Sequence, residues 1–167
     1  LQQPMERGVA ILFGDGAGAC LIHPSEGAAH IEDSVIETDG SFAEDLRLSY
    51  DRPIEMNGRS VIIQASRKVP RAIREVLHKH GCKAQDVGCF LMHQANQNLI
   101  AKIAHSLGVS ESKFFSNIRK YGNTSSASML IAAEEWSQTD GFRPGIPICF
   151  AAFGAGFHWG ALLARGV

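Results

Sequence analysis

One short stretch limits the chain most. Gly88-Cys89-Phe90-Leu91-Met92 is apolar and stops abruptly at His93. It reads as a short apolar strand. Gln94-Ala95-Asn96 follows, and then a helical stripe of Leu99, Ile100, Ile103, Ala104 and Leu107, closed by Gly108. A strand that passes at once into a helix is the unit of a parallel α/β sheet, and its polar corner lies at the strand's carboxyl end, where ligands bind. Tyr121-Gly122-Asn123-Thr124-Ser125-Ser126 repeats the pattern: it ends a short run and opens a helix from Thr124 to about Gln138. A histidine and an asparagine at two such corners make a pair of donors suited to a developing oxyanion.

The rest of the chain is read around these corners. Val9 to Phe13 is a continuous apolar run, expected as a buried strand. Gly14-Asp15-Gly16-Ala17-Gly18 follows as a tight turn, and Ala19 to His23 resumes a strand that Pro24 stops. Ile31, Val35 and Ile36 suggest one more strand, and Glu37 to Pro53 a polar surface excursion. Asn57-Gly58 opens a long helix carrying Val61, Ile62, Ala65, Val69, Ala72, Ile73, Val76 and Leu77, which Gly81 ends. Pro70 should kink it or mark its true first turn. Ile148 to Phe153 is a strand, Gly154-Ala155-Gly156 a tight turn, and Phe157 to Ala164 the returning strand. The order argues for α/β with a mixed sheet.

Composition narrows the function classes. The 167 residues fit one domain, expected to span residues 1–167, and 45% apolar with 20% charged is ordinary for a globular chain. A net charge of −1 gives no electrostatic case for nucleic acid or a membrane surface. No apolar run approaches the ~18 residues of a membrane-spanning helix, and no charged-then-apolar leader is seen. Cys20, Cys82, Cys89 and Cys149 lie scattered on apolar runs, which fits reduced thiols in a cytoplasmic protein. Because the chain starts at Leu1 and runs almost straight into a strand, a fragment of a longer protein is expected.

Several motifs weigh little against simpler readings. Gly14-x-Gly16-x-x-Ala19 matches a loose dinucleotide fingerprint, but a β-like, Pro-stopped segment follows where the fingerprint needs a helix. A glycine hairpin packed on another backbone explains it better. His78, His80, Cys82, Cys89 and His93 suggest zinc ligands, yet His78 and His80 share no helix face, and Cys89 lies roughly 13 Å along the strand from His93. No metal site is expected. No cysteine opens a helix or neighbours an evident base, so none has a route to a low pKa.

Five motifs in order change the weight of His93. Phe13-Gly14-Asp15-Gly16-Ala17-Gly18-Ala19, Met56-Asn57-Gly58 ahead of an apolar helix, His93-Gln94-Ala95-Asn96, Tyr121-Gly122-Asn123-Thr124-Ser125-Ser126-Ala127-Ser128 and Phe153-Gly154-Ala155-Gly156-Phe157-His158-Trp159-Gly160 resemble segments of the β-ketoacyl-acyl carrier protein synthase III family. The likeness covers nearly the whole chain. It implies one half of a thiolase fold: a mixed, mostly five-stranded sheet with helices on both faces. It also implies that the nucleophilic cysteine belongs to a preceding, N-terminal half. The implied reaction is a decarboxylative Claisen condensation in fatty acid or related polyketide synthesis, with no cofactor beyond coenzyme A or acyl carrier protein thioesters. By the same resemblance, His93 and Asn123 hold the enolate oxygen, the Ala155 N–H serves the acyl carbonyl, and Phe153 is an aromatic gate. Asn57, Gly58 and Ala95 line the pantetheine arm, and Asn96 orients the corner. The expected partners are the preceding half, a second copy in a homodimer, and the thioester donors. Asn98 stands where family members often carry an arginine for carrier-protein docking, so coenzyme A as donor stays open. The competing reading is a non-catalytic thiolase-fold module that binds another subunit.

Overall fold

Alternation along three strands builds the centre of the molecule. The computed structural model describes residues 7–139 and 141–167. Strand β1 (Ala29–Thr38), β4 (Cys89–Met92), β5 (Pro147–Gly154) and β6 (His158–Gly166) form one sheet in the order β1-β6-β5-β4. β4 runs parallel to β5, and β5, β6 and β1 are successively antiparallel. Cys89 pairs with Ile148 and Met92 with Ala151. Successive strand residues point to opposite faces. Phe90, Met92, Cys149, Ala151, Phe153, Trp159, Ala161 and Leu163 therefore share one buried cluster, and Cys89, Leu91 and Ile148 share another. A separate two-stranded ribbon, β2 (Leu46–Arg47) with β3 (Glu55–Met56), lies in the surface excursion.

Each face carries helices whose apolar stripe matches it. On the first face lie α2 (Gly58–Lys79) and α3 (Gln97–Leu107). α2 buries Ala65, Val69, Ala72, Ile73, Val76 and Leu77, and α3 buries Leu99, Ile100, Ile103, Ala104 and Leu107. Each fully buried aliphatic side chain stabilises by about 1.5–3 kcal/mol relative to exposure. Asn57 caps α2, accepting from the Ser60 N–H at 3.2 Å, and Gly81 follows its end at a φ of +61°. Pro70 lies buried inside α2, so it does not mark a first turn. On the second face, α5 (Ala127–Ser137) sets Ala132 and Trp136 against Leu91 and Ile148.

The sequence expectations fail mainly before residue 29. The sheet has four strands rather than five. Val9 to Phe13, expected as a strand, gives a single helical turn, α1 (Arg7–Ala10), and then one parallel bridge from Phe13 to Asn123. A short apolar run satisfies either geometry, and only a ladder partner decides between them. Ala19 to His23 finds no such partner among the described residues and forms no strand; Cys20, Leu21 and Ile22 are exposed. Gly14 to Gly18 is not a hairpin but an irregular segment laid along Tyr121 and α5. A Cβ at Gly14 would collide with the Tyr121 carbonyl oxygen, and one at Gly18 would come within 2.7 Å of Leu130 Cβ. Only small backbone fits that seam. The expected reading at Leu1 lies outside the described residues.

Candidate active site

Strand pairing fixes the first corner. Met92 ends β4, and the His93 N–H continues the ladder by donating to the Ala151 carbonyl at 2.9 Å. Four residues, 93–96, intervene before α3, so the strand does not pass at once into helix. Asn96 caps α3 with its side-chain oxygen, accepting from the Leu99 N–H at 2.9 Å. Met92 faces α2 and α3, so the next side chain, His93, turns to the α5 side. Its Nδ1 lies 2.8 Å from the Ser128 hydroxyl of α5. Burial pushes the imidazole pKa below its ordinary value by disfavouring the charged ring, and the Ser125 carbonyl works the other way.

The second corner is built differently from expectation. Asn123 follows no strand: the one-turn helix α4 (Ile118–Tyr121) precedes it, Gly122 breaks that helix at a φ of +70°, and α5 starts only at Ala127. What fixes Asn123 is the segment from the far end of the chain. Its N–H donates to the Leu12 carbonyl at 2.9 Å, and its carbonyl accepts from the Gly14 N–H at 3.0 Å. Its side-chain Oδ1 accepts from the Ser125 N–H at 2.9 Å, while Ser125 takes a left-handed φ of 52°. Asn123 is 9% exposed.

A chain of contacts joins the two corners. His93 Nδ1 meets Ser128 Oγ, which lies 2.8 Å from the Ser125 carbonyl oxygen, and the Ser125 N–H is the one held by Asn123. The result is an asymmetry within both side chains. Nδ1 of His93 and Oδ1 of Asn123 are engaged. Among the described residues, Nε2 of His93 and Nδ2 of Asn123 are in no hydrogen bond.

Gln94 reinforces this junction and was not singled out by sequence. Its side chain is 1% exposed. Oε1 accepts from the Asn117 N–H at 3.1 Å and the Ser116 hydroxyl at 3.3 Å, and Nε2 donates to the Phe115 carbonyl at 3.4 Å. It clamps the segment that leads through α4 to Asn123. Glu135 of α5 holds α4 from the other side, through Lys120 at 2.8 Å, Asn117 at 3.0 Å and the Tyr121 hydroxyl. Those partners draw its carboxyl down to about 2. The signal for Gln94 is an amide residue two positions after the end of a buried strand. Ser128 is hidden among small residues and carries no such signal.

The other expected site residues divide. Ala155 sits in the β5–β6 turn, beyond the carboxyl end of β5, and its N–H makes no hydrogen bond among the described residues. Gly156 next to it has a φ of +136°, which only glycine adopts readily. β4 and β5 are parallel neighbours, so His93 and this turn lie at the same end of the sheet. Phe153 does not join them. Its ring packs 4.7 Å from that of Phe157 in the aromatic group on the α2 face, the face opposite His93. Asn57 is committed to capping α2 and to Asp45, to which its Nδ2 donates at 3.0 Å. No hydrogen bond links Asn57 or Gly58 to His93 or Asn123 among the described residues. Ala95 packs partly buried against the main core.

Cys89 and Cys149 are buried, and burial pushes the Cys82 and Cys149 thiols upward. Among the described residues no three His, Cys, Asp or Glu side chains stand where they could hold a metal ion, and no helix is long and apolar enough to cross a membrane.

Likeness to known proteins follows the same division of the chain. Residues 77–165 match the family model for the C-terminal part of 3-oxoacyl-[acyl-carrier-protein] synthase III, and residues 2–40 match the model for 3-oxoacyl-[acyl-carrier-protein] synthase III. The β-ketoacyl-[acyl-carrier-protein] synthase III of Oleidesulfovibrio alaskensis is 35% identical over 96% of this chain and 54% of its own length. The crystal structure of the Aquifex aeolicus 3-oxoacyl-[acyl-carrier-protein] synthase III is 39% identical. It superposes with a TM-score of 0.90 over 96% of this chain and 52% of its own. The priming β-ketosynthase of the R1128 polyketide biosynthetic pathway is 31% identical, with a TM-score of 0.84 over 96% of this chain and 52% of its own. The chain thus spans about half the length of the relatives it matches.

Proposed function

The chain belongs to the 3-oxoacyl-[acyl-carrier-protein] synthase III family, and from that premise we propose that it supplies the His/Asn half of a ketosynthase active site. The observation that carries the reading is the pair of uncommitted edges, Nε2 of His93 and Nδ2 of Asn123, each on a side chain whose other end is tied down. The thiolase-fold partner that completes the site is a preceding half carrying a nucleophilic cysteine, and the complete protein works as a cytoplasmic homodimer in fatty acid biosynthesis.

The chemistry follows from where charge appears. An acyl group rides on the cysteine as a thioester. A malonyl thioester, on coenzyme A or acyl carrier protein, loses carbon dioxide. The electron pair of the broken C–C bond passes into the thioester carbonyl as an enolate. Two fixed N–H donors aimed at that oxygen stabilise it as it forms, each typically by ~3–4 kcal/mol. The enolate carbon then attacks the acyl carbonyl, and the C–S bond breaks as the cysteine leaves as thiolate. The free Ala155 N–H, on a turn kept open by glycines, serves that second oxyanion. The electrons come from the substrate's own bond, so the reaction needs no cofactor. Asn57, Gly58 and Ala95 line the pantetheine arm. A purely scaffolding module would have no use for two half-tied donors, which favours the catalytic reading.

The test separates two half-reactions in the protein carrying both halves. His93→Ala and Asn123→Ala should each cut malonyl decarboxylation by ~10²–10³-fold, the usual loss for one oxyanion donor. Cysteine acylation should fall much less. Single-turnover acyl transfer beside carbon dioxide release reads both. Equal loss of the two steps in Asn123→Ala would overturn the enolate assignment.

A further inference from the structure

We propose that the Ser128 hydroxyl selects the tautomer of His93: it donates its proton to Nδ1, so that the neutral ring carries its own proton on Nε2. This inference rests on the enolate reading above. Ser128 is a positioning residue in it and touches no substrate.

The argument is a count of protons. Ser128 Oγ has three polar neighbours: His93 Nδ1 at 2.8 Å, the Ser125 carbonyl at 2.8 Å and the Gln94 N–H at 3.2 Å. A hydroxyl has one proton to give and two lone pairs to receive. The Gln94 N–H can only donate, so it takes a lone pair. The Ser125 carbonyl can only accept. His93 Nδ1 can do either, and where the single hydroxyl proton goes decides which. If it goes to Ser125, Nδ1 must carry the ring proton, and Nε2 turns a lone pair toward the site. If it goes to Nδ1, Nε2 becomes an N–H donor. The Ser125 carbonyl is not orphaned by the second arrangement, because it already receives the Ser128 backbone N–H at 3.2 Å. Ser128 is 3% exposed, so bulk water does not compete for the proton. Burial favours the neutral ring, and only in a neutral ring does the tautomer matter. A lone pair facing the enolate oxygen would repel the charge that the site has to stabilise.

The experiment reads the ring directly. In the protein carrying both halves, ¹⁵N-histidine NMR should show neutral His93 protonated on Nε2. In Ser128→Ala the Ser125 carbonyl is the partner left for Nδ1, and the proton should move there. Malonyl decarboxylation should then fall on the order of 10²-fold, the scale of losing one oxyanion donor, with cysteine acylation much less affected. Ser128→Thr keeps a hydroxyl and should restore both the Nε2–H form and most of the rate. A wild-type ring protonated on Nδ1 would overturn the inference, and that spectrum needs no variant to fold. So would Ser128→Ala with unchanged tautomer and rate. If His93→Ala cripples decarboxylation while Ser128→Ala is silent, this inference fails and the enolate reading stands. If His93→Ala is itself silent, the enolate reading fails, and the spectrum alone judges the tautomer.

Discussion

Asn123 and His93 look interchangeable as polar residues at corners, but different neighbours immobilise them. His93 is held through the sheet, because its backbone extends the β4–β5 ladder. Asn123 is held by its own side-chain turn and by two backbone bonds to Leu12 and Gly14. Gln94 is the residue that ties these supports together. A buried amide with its oxygen and nitrogen both engaged is neutral in cost, and one removed from its partners is not. Gln94→Leu keeps the volume and leaves the Asn117 N–H and the Phe115 carbonyl without their buried partner. It should cost about 1–3 kcal/mol of stability. Urea unfolding of the variant beside wild type measures this, and an unchanged midpoint would mean that solvent replaces the clamp. Sequence singled out His93 and Asn123 but not what holds them. A histidine after a strand is visible from its neighbours, whereas the role of Ser128 depends on a helix that packs from elsewhere.

Elements were legible where periodicity carried a partner with it. β4, β5, β6, α2 and α3 follow from alternation, helical stripes and their bounding glycines, and the antiparallel hairpin around Ala155 follows from Gly154 and Gly156. Val9 to Phe13 and Ala19 to His23 were misread because five apolar residues do not say whether a ladder awaits them. The glycine segment was read as a turn, though its glycines answer a different need: close passage along Tyr121 and α5. That seam holds Asn123 from behind, which makes it a test of element docking. Gly14→Ala inserts a methyl against the Tyr121 carbonyl and must displace one backbone from the other. Overpacking of this kind costs ~1–3 kcal/mol, and displacement of a positioned donor costs up to about 10²-fold in rate. Decarboxylation should therefore fall about 10–10²-fold while cysteine acylation and the circular-dichroism spectrum are retained. Wild-type decarboxylation would mean that the seam does not position Asn123.

On the scale of the whole molecule, the most open apolar side chains lie away from α5. Met129, Leu130, Ile131 and Ala133 are only partly exposed, and the Gly16–Gly18 segment lies against Leu130 and Ile131. The most open side chains include Ile11, Leu21 at 91% and Ile22 before the sheet, Leu48 and Tyr50 in the surface excursion, and Ile36 at 80% on edge strand β1. Such surface rarely stays bare in monomers, and an unpaired strand edge invites pairing. The 167-residue chain by itself should therefore self-associate at micromolar concentration; sedimentation showing only a well-folded monomer would contradict this. The clasp of Leu12 and Gly14 on Asn123 has one more consequence, which concerns the order of folding. The histidine corner closes between residues 93 and 151, but the asparagine corner waits for residues 12 and 14 to reach residue 123. Such closure is entropically costly and slow. A molecule with this clasp open keeps the ladder that holds His93 but loses what holds Asn123. The paired arrangement of the two corners is therefore a product of long-range closure and not of either corner's local sequence.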